Sequence, residues 1–196
     1  MKTVKLSRET RETRIALELS IYGKGKGNIS TGVGFFDHML QLFAAHGGFD
    51  LLLTCAGDTY VDGHHTVEDC GILLGRAFRE AMEDKRGLTR YGSLALPMDE
   101  ALVLAAVDLS GRGGYYGDLP LTCQRAGDFD TESAEELFLA FAREAGITLH
   151  IRLLTGKNTH HILEGAFKAA ARALSAALSP DPCAAGRIPS TKGTLL

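Results

Sequence analysis

One unusual spelling occurs twice in this chain: HHTVED at residues 64–69 and HHILEG at residues 160–165. Placing His64 on His160 brings Glu68 onto Glu164, Ala77 onto Ala173 and Phe78 onto Leu174. With a two-residue gap ahead of the pair, the preceding helices align as well, and His38-Met39-Leu40 falls on Glu136-Leu137-Phe138. Self-similarity at a fixed offset marks an internal repeat. The expected fold is therefore α+β in two repeated halves, residues 1–87 and 88–180, followed by a tail at 181–196.

Outward from the first pair, TRIALELSIY (13–22) alternates apolar and polar residues and reads as a strand. GKGKGN is a turn, with a short strand near 28–32. A helix from Phe35 to Ala45 stops at the glycine pair 47–48. FDLLLTC (49–55) is a buried strand, and the His-His stretch opens a long helix that ends near Gly87. The second half starts with two apolar strands around Pro97–Glu100, leaves through SGRGG, and then repeats helix, glycine, strand, turn and His-His helix. Thr131 or Ser133 is placed to cap the first helix of that series. Two strands per half are legible this way. The tail, rich in proline and glycine, is expected to be irregular.

At 196 residues the chain is long enough to bury a core without staples. A net charge of −3 excludes a nucleic-acid binder resting on a basic surface. No apolar run reaches the length of a membrane span, and the first residues lack the apolar core of a signal peptide, so a cytoplasmic location is expected. Cys55, Cys70, Cys123 and Cys183 show no C-x-x-C spacing and read as core or incidental thiols.

On a helix, residues three and four apart share a face. Glu68 is thus a neighbour of His64 and His65, and Glu164 of His160 and His161. The two histidines of each pair project about 100° apart, which suits two ions better than one. Imidazole with carboxylate and no thiolate fits Mn, Fe, Co, Ni or Zn, and an open octahedral site favours Mn(II). His38, near the start of its helix, is a further candidate ligand, as is Glu136 at the matching repeat position.

These stretches, together with RETRI, STGVGFFDHML, GDTYVDGHHTVEDCGILLG, PMDEAL, DLSGR and AGITLHIRLLTGKNTHHILEGAFKAAARAL, resemble the imidazoleglycerol-phosphate dehydratases of histidine biosynthesis, from about Arg11 to PSTKG at the end. The chain looks like the monofunctional form. The resemblance implies a four-stranded sheet in each half with helices on one face. It also implies a 24-subunit homo-oligomer with two Mn(II) ions per active site, held between neighbouring subunits. Ligands carried over are His38, His64, His65, Glu68, His160, His161 and Glu164. An eighth position is histidine in some members and Glu136 here.

The implied reaction dehydrates imidazoleglycerol phosphate to imidazoleacetol phosphate. No carbonyl is present to accept charge from the proton that leaves. Two ions on the two ring nitrogens would favour an imidazolate, able to expel a hydroxyl through a diazafulvene-like intermediate. Glu164 or Glu68 is expected to move the carbon-bound proton, and Asp99 or Glu12 a second proton or the departing hydroxyl. Glu12 and His46 are implied as substrate contacts. Arg90, Arg112, Lys168, Ser190 and Lys192 are nominated for the phosphate, and His150 is read as structural. Two other classes stay open at this stage: a metal-dependent assembly or buffering protein, and a dinuclear hydrolase.

Overall fold

The computed structural model describes residues 3–184 and 186–195, so positions 1–2 of the expected first half and positions 185 and 196 of the expected tail lie outside it. The first half runs β1 (Val4–Glu9), β2 (Thr13–Ser20), β3 (Gly27–Ser30), α1 (Gly34–Gly47), β4 (Asp50–Gly57) and α2 (His64–Met82). The second runs β5 (Tyr91–Met98), β6 (Ala101–Asp108), β7 (Gly114–Asp118), a small hairpin of β8 (Arg125–Ala126) and β9 (Phe129–Asp130), then α3 (Ser133–Ala145), β10 (Thr148–Thr155) and α4 (Thr159–Leu178).

The two four-stranded sheets have the same topology. Their orders are β1-β2-β4-β3 and β5-β6-β10-β7, and in each the last pair is parallel while the others are antiparallel. A parallel pair needs a crossover connection, and α1 and α3 supply it. Aligned repeat positions share burial: Ala77, Ala173, Phe78 and Leu174 are all inside. The repeat is therefore one of architecture and not only of spelling.

Helices of opposite halves meet at the centre, α1 on α4 and α2 on α3, while α2 lies on β2 and α4 on β5 and β6. The α2–α3 approach is close because α2 carries glycines one turn apart. A Cβ on Gly71 would come within 2.9 Å of the Leu137 carbonyl oxygen, and one on Gly75 within 2.6 Å of that of Phe141. Between the layers, Phe43, Phe49, Phe78 and Phe141 interlock with centroids 5.1 to 6.1 Å apart, edge to face except for the tilted Phe43–Phe49 pair.

Several sequence expectations shift. β1 and β7 were not legible, because VKLSRE has only two apolar residues, Val4 and Leu6, and GYYGD carries no apolar alternation. Edge strands like these are specified by pairing more than by their own pattern. The helix expected to run to Gly87 ends at Met82, where Glu83 and Lys85 take positive φ of 49° and 61° and turn the chain. Neither Thr131 nor Ser133 caps α3 through its side chain; the N-cap is Glu132, and the Thr131 hydroxyl donates to the carbonyls of Cys123 and Gln124. The loop between β5 and β6 is only Asp99-Glu100, with Pro97 inside edge strand β5, where a missing N–H is tolerated. Among its described residues, the tail is irregular apart from one short 3-10 turn at Pro182–Ala184. Of the four free cysteines, Cys70 is buried, Cys55 half-buried, and Cys123 and Cys183 exposed.

Candidate metal centre

Each His-His pair lies in the first turn of its helix. The N–H groups of a first helical turn have no intrahelical acceptor, and a side chain two residues before each pair takes one or more of them. Asp62 accepts from His64 N at 2.8 Å, and Asn158 from His160 N and His161 N at 2.9 and 3.3 Å. The matching positions of Asp62 and Asn158 in the repeat were the sequence signal for this pair.

At the α1–α4 seam, His38, His160 and Glu164 gather, with ligand atoms within 4.8 Å of one another. They form the sole group of three His, Cys, Asp or Glu this close among the described residues. Glu164 Oε2 lies 4.0 Å from His38 Nε2 and 3.3 Å from His160 Nε2. Its other oxygen, Oε1, accepts from Lys168 one helical turn on. Burial opposes ionisation of Glu164, but Lys168 and His160 overcome it and hold the carboxyl below the usual range. Two half-exposed imidazoles and a largely buried carboxylate are the donor set of a borderline divalent ion with open positions, so these residues fit such an ion.

In the first half, His64 Nε2 stands 3.9 Å from Glu68 Oε2. Glu136 lies in the first turn of α3, on the helix that packs against α2, but does not join His64 and Glu68 in a cluster of the kind at the other seam.

The second histidines point elsewhere. The ring planes of His64 and His65 meet at 88°, and those of His160 and His161 at 83°, and the partners of the second histidines differ from those of the first. His65 Nδ1 donates to Asp58, 3.1 Å from Oδ2, and its Nε2 is 3.9 Å from Glu12 on the β1–β2 turn. His161 Nδ1 donates to Glu100 Oε2 at 2.7 Å, and its Nε2 is 3.7 Å from Asp99 on the β5–β6 turn. The Asp58 hydrogen bond raises the His65 pKa and the Glu100 hydrogen bond that of His161. The bond to His161, then that to Asn158 N–H, brings Glu100 down to about 2. Sequence reasoning missed Asp58 and Glu100, and with reason: they do not occupy equivalent repeat positions.

The phosphate candidates fall in separate places. Lys168 sits on Glu164, and exposed His46 is near it; partial burial first, then Lys168 and Arg172, lower the His46 pKa. Arg90 is held by Asp108 at 2.8 Å and donates to the Pro189 carbonyl. It lines a groove with Arg187, Ser190 and Thr191, and Lys192 N donates to Ser190 Oγ beside it. Lys168 does not line that groove. Arg112 is exposed in the loop after β6. His150 stacks on Tyr116 on the outer sheet face, as a structural residue would.

Fold and site together define a two-halved α+β enzyme built around paired His-His-x-x-Glu helices. The chain belongs to the imidazoleglycerol-phosphate dehydratase family, whose family model matches residues 31–174. It is 55% identical over 194 residues to the imidazoleglycerol-phosphate dehydratase of Desulforamulus reducens, covering 99% of this chain and 98% of that one. It is 55% identical to that of Thermoanaerobacter pseudethanolicus over the whole of both. Among solved structures, the Staphylococcus aureus enzyme superposes with a TM-score of 0.82 at 39% identity, covering 91% of this chain and 99% of that one. The Pyrococcus furiosus enzyme superposes with a TM-score of 0.83 at 38% identity, covering 97% and 100%. The chain is accordingly a dehydratase, a hydro-lyase of histidine biosynthesis.

Proposed function

We propose that this chain dehydrates imidazoleglycerol phosphate to imidazoleacetol phosphate at a site holding two Mn(II) ions. The observation that carries the reading is the His38–His160–Glu164 trio, gathered by helices of both halves. His38, His160 and Glu164 would hold one ion; His64 and Glu68, with Glu136 from α3, would hold the other. Bound ions supply Lewis acidity to the two ring nitrogens and so favour the imidazolate.

From there the chain's own groups act. The hydroxyl on the carbon attached to the ring leaves, giving a diazafulvene-like species, and a proton comes off the next carbon. The resulting enol becomes the ketone. Glu164, with Oε1 already tied to Lys168, is the candidate to move the carbon-bound proton, with Glu68 as its repeat counterpart. Glu12 and Asp99, each facing a second histidine from a turn between paired strands, are the candidates to serve the departing hydroxyl or a second proton. Lys168 and His46 from one place, and Arg90, Arg112, Ser190 and Lys192 from others, are proposed to converge on the phosphate and substrate when copies of the chain assemble.

Assembly is part of the proposal. Within one chain His65 and His161 face carboxylates other than those beside the first histidine of their pairs, which supports their serving ions of neighbouring copies in a homo-oligomer, with 24 subunits expected. Among the described residues no helix is long and apolar enough to cross a membrane, and we place the enzyme in the cytoplasm. The test is turnover of imidazoleglycerol phosphate with added Mn(II), following the keto product. Glu164→Gln should lower turnover by about 10²- to 10⁴-fold, the scale of losing a general base. Release of inorganic phosphate in place of ketone would make the chain a hydrolase. Ion-dependent assembly without turnover would make it a metal-dependent assembly protein.

A further inference from the structure

We propose that Asp58 and Glu100 are positioning residues that fix which nitrogen His65 and His161 present to an ion. The proposal rests on the ion reading above. A neutral imidazole has one N–H and one lone pair, and the partner of one nitrogen decides the state of the other. An ionised carboxylate only accepts. Asp58 and Glu100 therefore keep the proton on Nδ1 of each ring and leave the lone pair on Nε2. That free nitrogen is the one facing Glu12 in one half and Asp99 in the other, at 3.9 and 3.7 Å. These separations are longer than a hydrogen bond, and each lone pair together with a carboxylate suits a cation.

Both carboxylates are held in place. The Asp58 side chain is 14% exposed, its N–H donates to the Glu12 carbonyl at 3.1 Å, and its own carbonyl accepts from Val61 N at 2.8 Å. Glu100 uses one oxygen for His161 and the other for the N–H groups of Lys157 and Asn158, at 3.3 and 2.8 Å. Asp58 comes from the β4–α2 link and Glu100 from the β5–β6 turn. Two unrelated positions thus converge on the same atom of equivalent histidines, which a merely solvated acid has no reason to do. Such partners of ligating histidines also raise ligand basicity.

The test titrates Mn(II) into the full-length metal-free chain and follows the electron paramagnetic resonance signal of the free ion. Asp58→Ala should weaken binding by about 10- to 100-fold. Asp58→Asn and Glu100→Gln, which keep the shape and lose the charge, should weaken it by at least about threefold. In a His65→Ala background, Asp58→Ala should add no further loss, because its effect passes through that ring. Wild-type affinity in Asp58→Asn and Glu100→Gln overturns the proposal, as does a full additional loss in the double variant. If Asp58→Ala does not fold, Asp58→Asn decides alone. If wild type and His65→Ala bind Mn(II) equally, the ion reading falls and takes this inference with it. Weaker binding by His65→Ala with unchanged Asp58→Asn sinks only this inference.

Discussion

The Nε2 of His38 on α1 stands 4.0 Å from Oε2 of Glu164 on α4, joining residues of opposite halves across the helix seam at the centre of the molecule. His38→Ala should therefore weaken Mn(II) binding by more than about tenfold, the lower bound seen when mere supporting contacts are lost. The metal-free fold should persist, since the side chain is half exposed. Calorimetric titration against circular dichroism of the metal-free protein separates the two effects. Unchanged affinity would remove His38 from the ligand set.

The glycines of α2 set how near α3 can come. Gly75→Ala would drive a methyl group to 2.6 Å from the Phe141 carbonyl oxygen and 3.0 Å from Ala145 N, both backbone atoms that cannot swing away. Overpacking of this kind costs about 1–3 kcal/mol. The measurable result is a lower midpoint in denaturant with an unchanged slope. A midpoint equal to wild type would mean that the two helices can separate freely.

Asp69 ties the Glu12 turn to α2. It accepts from Arg8 Nη2 at 2.7 Å and from the Thr13 hydroxyl at 2.5 Å, bracketing Glu12 from both sides. Asp69→Ala leaves the partly buried Arg8 guanidinium without its carboxylate, and its buried Nε already has no hydrogen-bond partner among the described residues. A loss of about 3 kcal/mol follows, at the low end for breaking such a pair. Equilibrium unfolding of the metal-free chain checks it, and a loss below about 1 kcal/mol would show the anchor to be dispensable.

Asp128, in the β8–β9 turn of the second half, caps α1 of the first by accepting from Gly34 N at 2.6 Å and Phe35 N at 2.9 Å. Its modest burial opposes ionisation, but the two N–H groups outweigh this and depress its pKa. A depressed carboxyl contributes stability above its unfolded pKa, about 3.9, and loses it as pH falls through the folded value. Asp128→Ala should cost about 0.5–1 kcal/mol at pH 7, the lower part of the capping range because the site is exposed. The gap between variant and wild type should begin to narrow below about pH 4 and close as pH falls through the lower folded value. A gap that stays constant into acid would assign the effect to packing.

Much of the site could be read without coordinates, because helical spacing is a local property. Once HHTVED and HHILEG are helical, the partnership of each first histidine with its glutamate follows from the 3.6-residue turn, as do the divergent rings. The repeat itself was legible from the alignment of Glu68 with Glu164. Edge strands β1 and β7 were not, since neighbouring strands complete them. Asp58 and Glu100 could not be nominated from a pattern either, because they reach equivalent nitrogens from different connections. The same holds for Asp128, whose cap spans from an inserted hairpin to the other half.

By itself, then, the sequence determined the doubled α+β grammar, the histidine- and glutamate-bearing helix faces and the family resemblance, all of which rest on short-range periodicity and spelling. The tertiary structure decided which helix meets which, that His38 joins His160 and Glu164, and which carboxylate holds each second histidine. Those outcomes depend on long-range contact, where the close approach of α2 to α3 at glycine and the pairing of buried polar groups select one arrangement. Local propensity is blind to both.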